Sequence, residues 1–496
     1  MLLFGLLAVT LLAAGGAFAA RRRSVMEGIN LGASVLTFTL AVILAASVVQ
    51  SGPLSAWHGI LYADALSALV VLLVSFVYVA CSVYAIGYFR DDEKNFEEGS
   101  VESVTLAKLR QYYSLTPLFV CCMLLVALAN NLGIMWVALE GTTLASVFLV
   151  TFYGRPTSLE AAWKYAIIGG VGLSMGLFGT ILTYYSASLV MGTETLVGLN
   201  WSALVTKAAQ FDKTTMRLAF IFILMGYGTK AGIAPMHTWK PDVYSEAPVP
   251  VAAMLAAALL NCALYGLLRF FILTSRCLGP EFASHLLLIF GLLSMGVAVP
   301  FILVQRSFRR LLAYSSIDHG GIMILGLAFG GPLGALGMLL HMTFHSITKP
   351  LLFFCAGNTQ QHLKTDQFRR AKSGLIHAMP ITGALFLMTT LAVTGSPPFS
   401  MFQSEFTILR AGFDGGYYVP VVLFIGFLVA IFAGFLVHIA RLVLGPDPGV
   451  PYGETCAWKK YSLVGLGVVI VVLGFWLPSP LYALVQSAAR IIREVQ

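Results

Sequence analysis

The chain has 496 residues; 58% are hydrophobic, only 10% are charged, and the net charge is +8 at neutral pH. An ordinary soluble protein carries roughly 25% charged residues, so soluble enzymes, nucleic-acid readers and disordered regulators are excluded. The basic excess is expected to orient loops across a membrane, with no need for a nucleic-acid partner.

A membrane-crossing helix needs roughly 20 mostly apolar residues, and this length predicts an all-α polytopic membrane protein of about fourteen transmembrane helices. They fall near 2–20, 28–50, 62–88, 114–130, 131–153, 164–187, 216–236, 249–273, 284–305, 311–329, 333–356, 379–410, 419–440 and 461–477. Ala17-Phe18-Ala19 resembles a cleavage site, but no basic residue precedes the first apolar stretch and Arg21, Arg22 and Arg23 follow it. That is the reverse of a secretory signal. The first helix is expected to stay, with its N-terminus outside. Basic residues then crowd the cytoplasmic side, Lys240, Arg306, Arg309, Arg310 and Lys372 among them, which also puts the C-terminus outside. Arg90 to Tyr113 reads as a cytoplasmic loop.

Two spans are interrupted. Gly232, Ile233, Ala234 and Pro235 break the seventh, and Gly395, Ser396, Pro397 and Pro398 break the twelfth, so 379–410 reads as one broken helix. Breaks five spans apart predict two inverted five-helix repeats, because an odd repeat flips orientation. The single membrane domain then divides into 1–113 (three helices and a loop), 114–273 and 284–440 (the repeats), and 441–496 (a last helix and tail). Discontinuous helices are where transporters build ion sites.

An ionisable group inside a span costs about 2.5–3.5 kcal/mol on insertion scales and is a functional candidate by default. Glu140 lies midway through the fifth span. Lys164 opens the sixth, from which it can snorkel to the cytoplasmic face. Lys230 precedes the first break, where freed carbonyls can solvate an ammonium; a lysine in low dielectric exchanges its proton readily. A static ion pair with Glu140 is the alternative; a switchable pair would tune both groups. His341, His345 and Lys349 are spaced i, i+4, i+8 on one face of the eleventh span. A water-linked chain of titratable groups suits them better than zinc, since no acidic residue or Cys is near in sequence. His319 adds a further station, with Ser315 and Ser316 beside it, and Glu405 follows the second break. Arg269 stays charged and cannot relay protons, so a structural role is expected for it. Asp64 is expected near the outer interface. Glycines in Gly169-Gly170-Val171-Gly172 read as close helix packing. None of the seven cysteines forms a C-x-x-C pair, so no cofactor or metal is expected in this chain.

These residues lie in runs that resemble the antiporter-like subunits shared by respiratory NADH:quinone oxidoreductase, multi-subunit cation antiporters and group 4 membrane hydrogenases. The strongest run is KAGIAPMHTWKPDVYSEAPVP from Lys230, followed by RRLLAYSSIDHGG, HSITKPLLF and GSPPFSMFQSEF. The resemblance implies proton translocation through Glu140, Lys230, His319, His345, Lys349 and Glu405. Lys164, His237, Asn261 and His341 would support the polar axis. Asn261 departs from the lysine many relatives carry there. ALEGTTLASVFLVTFY and SLEAAWKYAI look most like the hydrogenase-4 component F group. That implies a formate hydrogenlyase-like complex in a bacterial or archaeal cytoplasmic membrane, with partner chains carrying iron–sulfur clusters and a [NiFe] centre, and protons or sodium as cargo. Alternatives are a cation/proton antiporter subunit, a subunit of NADH:quinone oxidoreductase, a membrane partner of an inorganic-carbon uptake enzyme, and a structural anchor.

Overall fold

The computed structural model describes residues 1–97, 104–192, 196–371, 373–446, 449, 451–454 and 456–494. Lys372 and the middle of the predicted 90–113 loop lie outside the described residues.

The chain is a helical bundle. α1 (Leu2–Ala19) and α2 (Arg23–Ser51) lead to a short antiparallel hairpin, β1 (Leu54–Ala56) with β2 (Leu61–Ala63). α3 (Ala65–Glu97) and α4 (Leu106–Leu128) follow. The predicted loop from Arg90 to Tyr113 is therefore mostly helix: its polar residues extend α3 and open α4, which Thr105 caps by accepting from the Lys108 amide. Next come α5 (Leu132–Val150), α6 (Pro156–Met191), the short α7 (Trp201–Lys207), α8 (Lys213–Ala231) and α9 (Trp239–Glu246). α10 (Val249–Met254) runs through a π-helical turn, Leu255–Leu259, into α11 (Leu260–Leu278). α12 (Pro280–Leu303), α13 (Phe308–Phe329) and α14 (Gly331–Leu363) precede the short α15 (Leu375–Ala378). α16 (Pro380–Val393) and α17 (Ser400–Asp414) are the two halves of the twelfth predicted span. α18 (Tyr418–Val443), α19 (Ala457–Phe475) and α20 (Ser479–Arg493) complete the fold. α20 replaces the predicted tail: its apolar stripe packs on α3 and α14.

Among the described residues, eleven helices are long and apolar enough to cross a membrane. The expected fourteen is not reached by that measure. The three shortfalls are α8, α14 and the α16–α17 pair, the segments that carry the breaks or the His–Lys series. The order of three long helices, a broken pair and one more helix occurs twice: α4, α5, α6, α8/α9, α10–α11, and then α12, α13, α14, α16/α17, α18.

Burial separates the inside of the bundle from its lipid face. The most apolar window is 100% buried in α10–α11 and in α13, but only 28% buried in α18 and α1. Outer helices expose apolar side chains such as Val422, Val429 and Leu144, as a surface solvated by hydrocarbon requires. The central helices α10–α11, α13 and α14 never meet lipid over most of their length, so polar groups on them must find partners in protein.

Asp64, expected near the outer interface, is buried and binds Arg269 through both carboxylate oxygens, at 2.7 and 2.8 Å. Arg269 also donates to Ser67 at 2.9 Å and lies over the Trp201 ring at 4.1 Å. This pair ties α3 to α11. Glycines bring α6 against α8. A Cβ on Gly226 would lie 2.4 Å from the Gly176 backbone nitrogen, and one on Gly172 would lie 2.5 Å from Thr229. Gly170 has open space at the same position. Small residues drive such contacts in membranes by letting backbones approach. Gly226→Ala is therefore expected to lower the melting temperature of the detergent-solubilised protein, at a cost of about 1–3 kcal/mol, while Gly170→Ala leaves it unchanged; differential scanning fluorimetry reads both.

Candidate functional site

Three groups of polar side chains occupy the bundle interior. The first lies between α5, α6 and α8. Lys230, in the last turn of α8, donates to Thr143 Oγ1 and to the Tyr165 hydroxyl, both at 2.7 Å. Its ammonium also lies 4.9 Å from the Tyr165 ring centre. The Tyr165 hydroxyl meets Ser146 Oγ at 2.9 Å. Thr143 donates in turn to Glu140 Oε2 at 3.4 Å. A hydroxyl bridge thus stands where a direct ion pair would be. Glu140 is only half-buried and sits one helical turn from Thr143, so the shortest route to the lysine runs through that hydroxyl.

The second group surrounds the break. Gly232 ends α8 in the left-handed region at φ +65°, and Ala234-Pro235 is cis. The freed backbone is satisfied locally: Trp239 Nε1 donates to Thr229 O at 2.9 Å, and Ala234 N donates to Ser294 Oγ at 3.0 Å. His237 is half-buried with Nδ1 unpartnered. Lys240, counted above with the cytoplasmic loops, is instead 1% exposed; its helix α9 packs inward between α6 and α13. Arg309 is corrected in the same way: it is buried and donates to the carbonyls of Tyr244, at 2.7 Å, and Ala247. Asn261 donates to Ala257 O at 2.8 Å and Ser346 Oγ at 2.6 Å. The π turn exposes that Ala257 carbonyl to both side chains.

The third group joins α13, α14 and α17. Lys349 donates to Ser315 Oγ at 2.8 Å and Leu312 O at 3.2 Å. His319 Nδ1 and His341 Nε2 are 3.0 Å apart, and His341 Nδ1 is 3.0 Å from Ser404 Oγ. The His345 ring centre is 5.1 Å from that of His319, with both nitrogens unpartnered. Glu405 is buried with Oε1 unpartnered. Its other oxygen lies against Gly395, at φ +68°, where a Cβ would come within 2.0 Å. Pro397-Pro398 in the same break is cis. His319, His341 and Glu405 bring donor atoms within 4.8 Å of one another. The two histidines are already hydrogen-bonded to each other.

Lys164 stays apart from this axis. α6 begins at Pro156, so Lys164 sits in its third turn rather than opening the span. It pairs at the surface with Glu160 at 2.7 Å and Asp242 at 3.1 Å, and Asp242 also binds Arg310. Thr143, Tyr165, Ser404, Asp318 and Lys240 were missed from sequence. Asp318 is buried, with Oδ1 unpartnered, within electrostatic reach of Lys349 and Glu405. An acid in an apolar run was signal enough for Asp318. The hydroxyls had none, because Ser and Thr are common in apolar helices.

The sequence and the fold have counterparts among known proteins. Residues 129–432 match the family described as NADH:quinone oxidoreductase/Mrp antiporter, transmembrane. The chain belongs to that family. A hydrogenase-4 component F homolog from Methylacidiphilum infernorum is 35% identical over 80% of this chain and 87% of its own length. NADH-quinone oxidoreductase subunit N from Desulforudis audaxviator is 31% identical over 88% of this chain and 87% of its own. In fold, this antiporter-family chain is similar to one in the membrane-bound sulfane sulfur reductase, an archaeal respiratory membrane complex, with a TM-score of 0.87 at 24% identity and coverage of 99% and 98%. The Mrp complex from Dietzia holds a chain with a TM-score of 0.86 at 20% identity, covering 99% of this chain and 97% of that one. The protein is thus an antiporter-like, multi-pass membrane protein.

Glu405 also lines an apolar cleft of about 350 Å³ together with Gly395, Pro397, Phe402, Phe406 and Leu428. An apolar carbodiimide reaching that cleft from the bilayer is expected to modify Glu405. Peptide mass mapping should find the adduct there and lose it in Glu405→Gln; an unmodified Glu405 peptide in the unaltered protein would contradict the cleft.

Proposed function

We propose that the protein translocates protons, or sodium, as the antiporter-like membrane subunit of a membrane-bound redox complex of the group 4 [NiFe] hydrogenase, formate hydrogenlyase-like kind. The observation that carries the reading is the series of buried titratable side chains from Lys230 to Glu405. In a protein this poor in charge, Lys230, Lys240, His319, Asp318, His341, His345, Lys349 and Glu405 are all at most 5% exposed. Keeping so many costly groups inside one bundle is explained by moving charge through it.

In this reading Glu140 and Lys230 form a pair, bridged by Thr143, that senses the state of the partner subunits. A shift of charge or conformation there changes the proton affinity of Lys230. The proton then passes along His319, His345 and Lys349 towards Glu405, or the reverse, with water filling the gaps between the groups. Each step is driven by differential stabilisation of protonation states, on the order of 1–3 kcal/mol. The chain itself performs no redox chemistry; partner chains bearing iron–sulfur clusters and a [NiFe] centre supply it. The setting is the cytoplasmic membrane of a bacterium or archaeon, with both termini outside.

The hydrogenase assignment is supported by the 35% identical component F homolog. A second reading, membership of an NADH:quinone oxidoreductase, is favoured by the subunit N relative that covers slightly more of the chain. Purification with bound partners, metal analysis and mass identification separates them. Nickel with iron supports the hydrogenase reading, iron without nickel the second, and neither metal an antiporter. Lys230→Ala and Glu405→Ala are each expected to leave the complex assembled while proton translocation in reconstituted vesicles falls by about a hundredfold or more. Undiminished translocation in both variants would sink the mechanism.

A further inference from the structure

One buried lysine has no place in the series as the sequence suggests it. Lys240 follows Trp239 on α9, the short helix packed between α6 of the first repeat and α13 of the second. Its stem runs across the face of Gly232: a Cβ there would lie 2.4 Å from Lys240 Cε and 2.5 Å from Cδ. Only glycine admits both the left-handed backbone and the passing side chain. The ammonium reaches Ser316 O on α13, at 3.5 Å. That is its single hydrogen-bond acceptor among the described residues, although an ammonium has three protons to donate. No carboxylate of the described residues is within ion-pair distance of it.

Its neighbours on either side are the two lysine sites. Trp239, the preceding residue, lies 4.7 Å from the ring of Tyr165, which binds Lys230. Ser316, which receives Lys240, follows Ser315, which receives Lys349. Ser316 Oγ and Lys349 Nζ also donate to the same Leu312 carbonyl. His345 and His237 are within electrostatic reach of Lys240 as well. Asn261, which faces α14 from α11, cannot hold a proton for transfer. A buried lysine held this way is a poor structural brace: it neutralises no acid and makes one long contact. Its position suits a group that gains and loses a proton.

We infer that Lys240 is a proton-carrying station between the Lys230 and Lys349 sites, the point where the two repeats exchange protons. The step is a simple transfer. A hydrated proton leaving one lysine site binds the Lys240 amine, and the ammonium so formed gives it to water next to the other site; no bond between heavy atoms changes. The inference rests on the translocation reading above.

The test uses the intact complex in vesicles, comparing Lys240→Met and Lys240→Arg with Lys230→Ala and Glu405→Ala. Arginine keeps a positive charge and hydrogen-bond donors but cannot release its proton, so a bracing role would survive in Lys240→Arg. Both Lys240 variants are expected to retain subunit composition and electron transfer by the partner chains, and to lose proton flux by about a hundredfold. A loss smaller than about tenfold in an assembled Lys240→Arg complex overturns the assignment. Should Lys240→Met fail to assemble, Lys240→Arg alone decides. If Lys230→Ala and Glu405→Ala both leave flux intact, the translocation reading itself has failed; if they abolish flux while Lys240→Arg does not, only the role of Lys240 is refuted.

Discussion

Backbone polar groups inside a bilayer cannot be left to water, and a helix that breaks there must have its freed groups satisfied by protein. The rest of this structure follows from that constraint. At the first break, Ile233 N returns to Gly228 O at 2.9 Å, Trp239 covers the Thr229 carbonyl and Ser294 covers the Ala234 amide. At the second, Ser396 N returns to Leu391 O at 3.0 Å. Two of these repairs return to the helix that broke, and two reach it from α9 and α12. The hydroxyls and carbonyls that solvate Lys230, Lys240 and Lys349 come from other helices, α5, α6 and α13.

The titratable groups are linked chiefly through uncharged partners. Lys230 meets two hydroxyls, Lys349 a hydroxyl and a carbonyl, and His341 another imidazole and a serine. Direct ion pairs occur elsewhere: Asp64 with Arg269 locks α3 to α11, and Asp242 gathers Lys164 and Arg310 near the surface. A tight ion pair fixes both charges, whereas a hydroxyl accepts a proton on one side and offers one on the other. The ion pairs hold the bundle together; in the reading proposed above, the hydroxyl-linked groups are the ones that carry charge through it.

Much of this was legible in the sequence. Apolar runs of spanning length marked most long helices, and Gly–Pro clusters marked both breaks, because these signals are local. The charged stations Lys230, Lys349 and Glu405 stood out against an apolar background. Lys240 and Arg309 did not, because a broken helix and a helix start both look like loops, and only packing shows that these two are inside. The Thr143 bridge was invisible for a different reason. Its role depends on the angle between α5 and α8, which no single segment encodes. α20 was read as a tail because its apolar stripe is too short to span, yet it is amphipathic enough to lie along α3 and α14.

The Thr143 hydroxyl has one hydrogen, pointed at Glu140 while its lone pair receives Lys230. In the reading proposed above, the hydroxyl couples the two charges without letting them touch. Rotated away from Glu140 it frees the carboxylate, while Lys230 keeps Tyr165 as an acceptor. A side-chain torsion, rather than a helix movement, is then enough to part the pair.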